Sequence, residues 1–135
     1  MAIVVGASFG TAATSAAAKG GGHRISGDLV VNETAAPGEP CGLPGRASTY
    51  ADITTGTKIA IEPTGKPTVH APLGQGVGNA DGLCEFPFSA RVPDAPRYAI
   101  EIADRGTLTF TKRALQRRDW EVLLTLGVPA SRRST

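Results

Sequence analysis

Hydrophobic and polar residues alternate most strictly from Cys84 to Val92. Cys84, Phe86, Phe88, Ala90 and Val92 share one parity, and Glu85, Pro87, Ser89 and Arg91 the other. A two-residue period is that of a strand buried on one face. The same alternation recurs on both sides of it. Ile25, Gly27, Leu29 and Val31 alternate with Ser26, Asp28 and Val30, so Arg24 to Asn32 reads as the first strand. Thr57 to Glu62 is a second strand with Ile59 and Ile61 inward, and Thr68 to Leu73 returns as a third across Pro63-Thr64-Gly65-Lys66. That turn is predicted from residue type, because Pro presets φ and Gly supplies a positive φ. After the Cys84 strand, Tyr98, Ile100 and Ile102 point one way, Asp104-Arg105-Gly106 turns the chain, and Leu108 and Phe110 alternate with threonines. Trp120, Val122, Leu124 and Leu126 form the last strand. The only helical candidate is Thr111 to Arg118, with Thr111 as its cap and Leu115 as its apolar anchor.

About seven short strands at hairpin-like spacing and one helical turn define an all-β chain, a single antiparallel β-sandwich. Two connections stand out. Glu33 to Gly56 contains Pro37, Pro40 and Pro44 among glycines, which excludes a helix or a central strand. A loop of that length calls for a tether or a function. Gly74 to Gly82 is rich in glycine but has no following Lys-Ser or Lys-Thr and no helix start, so it is read as a loop and not a phosphate cradle.

Composition narrows the picture. The chain has 135 residues, 17 glycines, 10 prolines and only 5% aromatics, which suits one light, sheet-built domain. The net charge of +2 is uneven. After Thr111, six basic residues face Asp119 and Glu121, a net of +4, and the rest of the chain carries −2. A basic end suits anionic polymers or lipid headgroups, but a solvated face explains it more simply. Basic and aromatic residues do not interleave, so nucleic acid is not an expected partner.

Ala2 to Ala18 is apolar or small and ends in Ser15-Ala16-Ala17-Ala18, a small-x-small cleavage pattern. It lacks a basic start, and reads as a truncated signal peptide over 1–18; it is too diluted by Ala, Gly, Thr and Ser for a membrane span. Residues 19–22 are a Gly-rich linker, 23–129 the sandwich domain and 130–135 a flexible tail. Export favours a disulfide between the only two cysteines, Cys41 and Cys84, over two buried free thiols.

Candidate chemistry is thin. A Ser-His-Asp set can be assembled on paper from His70, Ser89 and Asp52, but such triads ignore chain order and nearly any sequence supplies one. No catalytic residue, metal site or cofactor is assigned, since two histidines and two paired cysteines do not make a zinc site. Asn79 and Asp81 beside Gly82 offer oxygens, although an Asx turn accounts for them. Tyr98 and Trp120 are expected in the core. If a surface binds, the expected residues are Tyr50, Asp52, Asn79 and Asp81, gathered where the two long loops meet.

The run Lys58-Ile59-Ala60-Ile61, the Pro-Thr-Gly-Lys turn, Asp81-Gly82, Phe86-Pro87-Phe88, Val92-Pro93, Tyr98 to Ile102 and Arg105-Gly106 resembles the transthyretin-like and carboxypeptidase-regulatory-like β-sandwich modules of extracellular proteins. From Gly27 to Leu126 the chain also resembles small secreted actinobacterial proteins without assigned function. That resemblance rests on Cys41 to Ile53, on Cys84 with Phe86 and Phe88, and on Trp120. It implies export and a disulfide and no catalytic residues. The sequence is therefore expected to encode a secreted or cell-envelope, non-catalytic binding module, with cell-wall material or an envelope protein as partner. The alternatives are a small extracellular hydrolase using His70, and a structural domain whose edge strand pairs with a partner. Pro87 is the residue that points to such an edge.

Overall fold

The computed structural model describes residues 22–127. The expected signal peptide, residues 19–21 of the linker and the tail lie outside the described residues. Among the described residues nine strands and one helix run in the order β1 (His23–Thr34), β2 (Pro40–Cys41), β3 (Lys58–Pro63), β4 (Val69–Pro72), β5 (Gly76–Gly78), β6 (Leu83–Val92), β7 (Arg97–Ile102), β8 (Thr107–Thr111), α1 (Lys112–Arg117) and β9 (Glu121–Leu126). They form a five-stranded sheet, β2-β5-β6-β1-β9, and a four-stranded sheet, β4-β3-β7-β8. The fold is all-β, and side chains of both sheets meet in one hydrophobic cluster.

The alternation read in the sequence is the alternation of burial. Ile25, Leu29 and Val31 of β1, Ile59 and Ile61 of β3, Phe86 of β6, Tyr98 and Ile100 of β7 and Leu124 of β9 are buried completely or nearly so. Each such side chain stabilises the fold by roughly 1.5–3 kcal/mol relative to exposure. The one polar group brought in with them is satisfied: the Tyr98 hydroxyl donates to Pro93 O at 2.8 Å and accepts from Ala95 N at 3.0 Å. Thr111 caps α1 by accepting from Ala114 N at 3.0 Å, and Leu115 anchors the helix in the core.

Three features differ from the expectation. The long connection and the glycine-rich loop each contain a short strand, β2 and β5, which pair with one another. Two- and three-residue strands carry no periodic pattern, and here the Cys41–Cys84 disulfide holds β2 near β6. Every strand pair is antiparallel except β9, which runs parallel to β1 from Ser26↔Glu121 to Val31↔Leu126. The β8-α1-β9 crossover leaves one sheet and enters the other, so hairpin logic does not govern its direction. Gly27 lies on this seam, where a Cβ would overlap the carbonyl oxygen of Val122, so only glycine lets β9 approach. Trp120 stands just before β9 at φ 62°, outside the strand.

Pro87 marks the place where β6 loses a neighbour. β5 pairs only with Glu85 and Cys84, whereas β1 pairs along the whole strand. Gly74 N donates to Pro87 O at 2.7 Å, so that carbonyl points away from β1. The N–H that proline lacks lies on the same side, where no ladder needs it.

Candidate functional site

The long connection is held by two arginines. Arg46 grips Glu33 in a fork, Nε to Oε2 at 2.6 Å and Nη2 to Oε1 at 2.8 Å, and donates to Leu43 O, Tyr50 O and Ile53 O. Ser48 Oγ adds a bond to Glu33 at 2.9 Å. Both side chains of the pair are only 16% exposed. The Arg46 guanidinium outweighs burial and holds the Glu33 carboxyl below its usual range. Asp52 is likewise taken. Arg105 Nε donates to its Oδ2 at 3.1 Å while Nη2 reaches Thr49 O at 2.7 Å, and the pairing depresses the Asp52 pKa. The same guanidinium lies 4.8 Å over the Tyr50 ring, whose hydroxyl end lies against Gly127. Tyr50 and Asp52 are thus brought together as expected, but by Arg105 and into an internal clasp.

Asn79 and Asp81 do not join them; no hydrogen bond or ion pair links the two groups. Asn79 Oδ1 accepts from Asp81 N at 2.9 Å and Leu83 N at 3.0 Å, the Asx turn that the residue types suggested. Its Nδ2 donates to Glu85 Oε1 at 3.1 Å. Asp81 is exposed and contributes its backbone N–H to the turn.

The two histidines have different environments. His23 stacks on Trp120 with ring centroids 3.9 Å apart and shares Asp94 Oδ1 with Lys112, at 2.9 and 2.8 Å. Trp120 is covered on that face, and its ring meets Tyr98 edge-on at 5.8 Å, so it packs inward as expected. His70 is exposed on the outer face of the four-stranded sheet and makes no side-chain hydrogen bond among the described residues. Ser89 lies on the other sheet and accepts from Arg24 at 3.2 Å. His70, Ser89 and Asp52 therefore belong to three separate surroundings. Among the described residues no set of three or more His, Cys, Asp or Glu is arranged to hold a metal ion.

An open trough of about 640 Å³ lies on the outer face of the five-stranded sheet. Its floor crosses β6, β1 and β9, and its walls include Ser26, Asp28, Pro87, Arg118, Glu121 and Leu123. A second hollow of about 270 Å³ adjoins it, lined by Gln75, Val77, Asn79 and Glu85, and Asp28 with Pro87 borders both. Register explains the grouping. Asp28 faces Pro87 on one side and Leu123 on the other, which sets Glu85 and Glu121 diagonally against it. Burial raises the Asp28 pKa above its ordinary 3.8, and Glu85 and then Glu121 push it further. A partly buried carboxyl beside two others, an arginine at the rim and apolar Pro87 and Leu123 make a surface with directed polar groups and apolar area, the usual composition of a binding site.

The residue-type reading missed Asp28, Arg118, Glu121 and Leu123 as a group. Asp28 and Glu85 both fall on polar parities that the sequence displays; what it lacks is the order that sets β1 between β6 and β9.

Comparison with protein-family models, curated proteins and solved structures finds no match.

Proposed function

We propose that the protein is an exported, non-catalytic binding module that presents the outer face of its five-stranded sheet to cell-envelope material. The observation that carries this reading is Asp28, a carboxyl held part-buried in the trough against Glu85 and Glu121. A group whose charge is poorly matched within its own chain is one that a partner's donor or cation matches better. The Cys41–Cys84 bond favours an oxidising compartment, and the apolar start ending at Ala18 favours export. The transthyretin-like spacing accords with an extracellular module.

Two measurements test this. Intact mass of the protein recovered from its host, under non-reducing alkylation, is expected to give a chain starting near Lys19 with no free thiol. Titration with soluble peptidoglycan fragments, followed by amide NMR shifts, is expected to move Ser26, Asp28 and Leu123, and Asp28→Asn is expected to weaken the effect about tenfold. Shifts confined to Tyr50 and Asp52 or to the His70 face, or none at all, would remove this surface from the proposal.

A further inference from the structure

Each sheet ends in strands whose outer backbone groups need a partner or a guard. Three of the four edges are guarded. β2 is two residues long, and β4 has four and ends at Pro72. β8 has no charge or proline of its own and leaves Leu108 45% exposed, but it runs directly into α1, whose end sets the Arg118 charge 5.9 Å over the Phe110 ring. β9 is different. It is six residues, Glu-Val-Leu-Leu-Thr-Leu, with one charge and no proline, and Leu123 is 55% exposed.

The hydrogen-bond pattern fixes which groups face out. Ser26 N donates to Trp120 O at 3.0 Å. By the alternation of a parallel ladder, the N–H and C=O of Val122, Leu124 and Leu126 then face β1, and those of Glu121, Leu123 and Thr125 face away. The Glu121 N–H is used locally, donating to Arg118 O at 3.1 Å. The Leu123 and Thr125 N–H groups and the Glu121, Leu123 and Thr125 carbonyls have no backbone partner among the described residues.

We propose that this edge pairs with β9 of a second copy of the chain, antiparallel, about a two-fold axis through Leu123. The strand is self-complementary in that register. Leu123 meets Leu123 of the second copy and each donates to the other's carbonyl. Thr125 N–H donates to the Glu121 carbonyl across the axis, so every free N–H of the edge gains an acceptor. Val122 falls opposite Leu124, which continues the apolar face from one copy into the next. Charge selects the register as well: Glu121, the strand's only ionic group, faces Thr125, whereas an axis through Glu121 would set two carboxylates together. The contact is isologous and closes on itself, giving a dimer and not a fibre. It does not depend on a ligand at the Asp28 trough.

The test is sedimentation of the full chain over a wide concentration range, with amide hydrogen exchange read at each concentration and no ligand added. The expected result is a dimer at high concentration, with Leu123 and Thr125 amides fast in the monomer and protected in the dimer, while Val122 and Leu124 are protected throughout. Leu123→Pro removes an N–H that no bond among the described residues uses, so the fold is expected to persist with association weakened about tenfold or more. Leu123→Lys, which keeps the backbone donor, gives a second, milder disruption through its charge. A chain that stays monomeric with fast Leu123 and Thr125 exchange at every concentration overturns the proposal. So does a dimer that survives Leu123→Pro.

Discussion

Asp52 and Asp28 are both aspartates on a small sheet protein, and the fold treats them oppositely. In the long connection two of the three carboxylates, Glu33 and Asp52, have a cation drawn from the same chain. Arg105 serves Asp52 and Arg46 serves Glu33, and both carboxyls are held below their usual range. On the outer face of the five-stranded sheet, Asp28 is raised by burial and by two neighbouring carboxylates. The loop spends its polar groups on its own shape, whereas the sheet face keeps an unmatched group at the border of two hollows. A conspicuous residue on a long loop is therefore not, for that reason, an available one. Arg105 and Arg46 hold Tyr50 and Asp52 through bonds within the chain, whereas Asp28, on the plain polar parity of β1, has carboxylates as its neighbours.

The contrast can be broken most severely by removing the loop's covalent tether. Cys41→Ser with Cys84→Ser is expected to cost about 4 kcal/mol by the chain-entropy argument for a separation of 43 residues. Urea unfolding would show it, together with early exchange of the β2 and β5 amides. Next is Arg46→Ala, which leaves Glu33 without its cation in a largely covered site and is expected to cost about 3 kcal/mol at pH 7. The Glu33 pKa is depressed in the fold, so the stability it contributes is present above its ordinary 4.5 and lost as pH falls through the folded value. The penalty of Arg46→Ala should shrink accordingly in acid, and unfolding curves at several pH values would reveal a constant penalty if Arg46 acted through packing alone.

Arg105→Ala is a gentler probe, because Asp52 is half exposed. About 1 kcal/mol is expected, and the Asp52 carboxyl should titrate nearer its ordinary 3.8 by NMR. The smallest effect has the opposite sign. Asp28→Asn is expected to stabilise the protein by about 0.5 kcal/mol at pH 7 by relieving like-charge neighbours. The Asp28 pKa is raised in the fold, so its favourable contribution is present below 3.8 and lost as pH rises through the folded value. The gain should therefore vanish in acid, where the wild-type carboxyl is already protonated. A loss of stability at pH 7 would mean that Asp28 is matched by a group within the fold and is no different from Asp52.

Much of the fold was legible because a strand writes its buried face directly into residue parity. The β1, β3, β6 and β7 cores, the Thr111 cap, the Leu115 anchor, the Pro63–Lys66 turn and the Asx turn at Asn79 all follow from contacts within a few residues or from one strand's own period. β2 and β5 were not legible, since two or three residues cannot show a period. The parallel docking of β9 was not legible either, because it depends on how a crossover packs and on Gly27 admitting Val122. Tyr50 and Asp52 were singled out for their chemistry, which is local; their use is decided by Arg105, 53 residues from Asp52 in sequence.

Residue order alone sets which side chains face the core, where the chain turns and which cysteines can pair. Those are set by short-range sterics and by the hydrophobic effect acting on alternate positions. Strand order, and with it which charges meet, came from the packing of the two sheets. Coulomb interactions and backbone edges depend on distances between residues far apart in sequence, and setting β1 between β6 and β9 is what brings Asp28 against Glu85 and Glu121 and leaves the outer edge of β9 unpaired among the described residues.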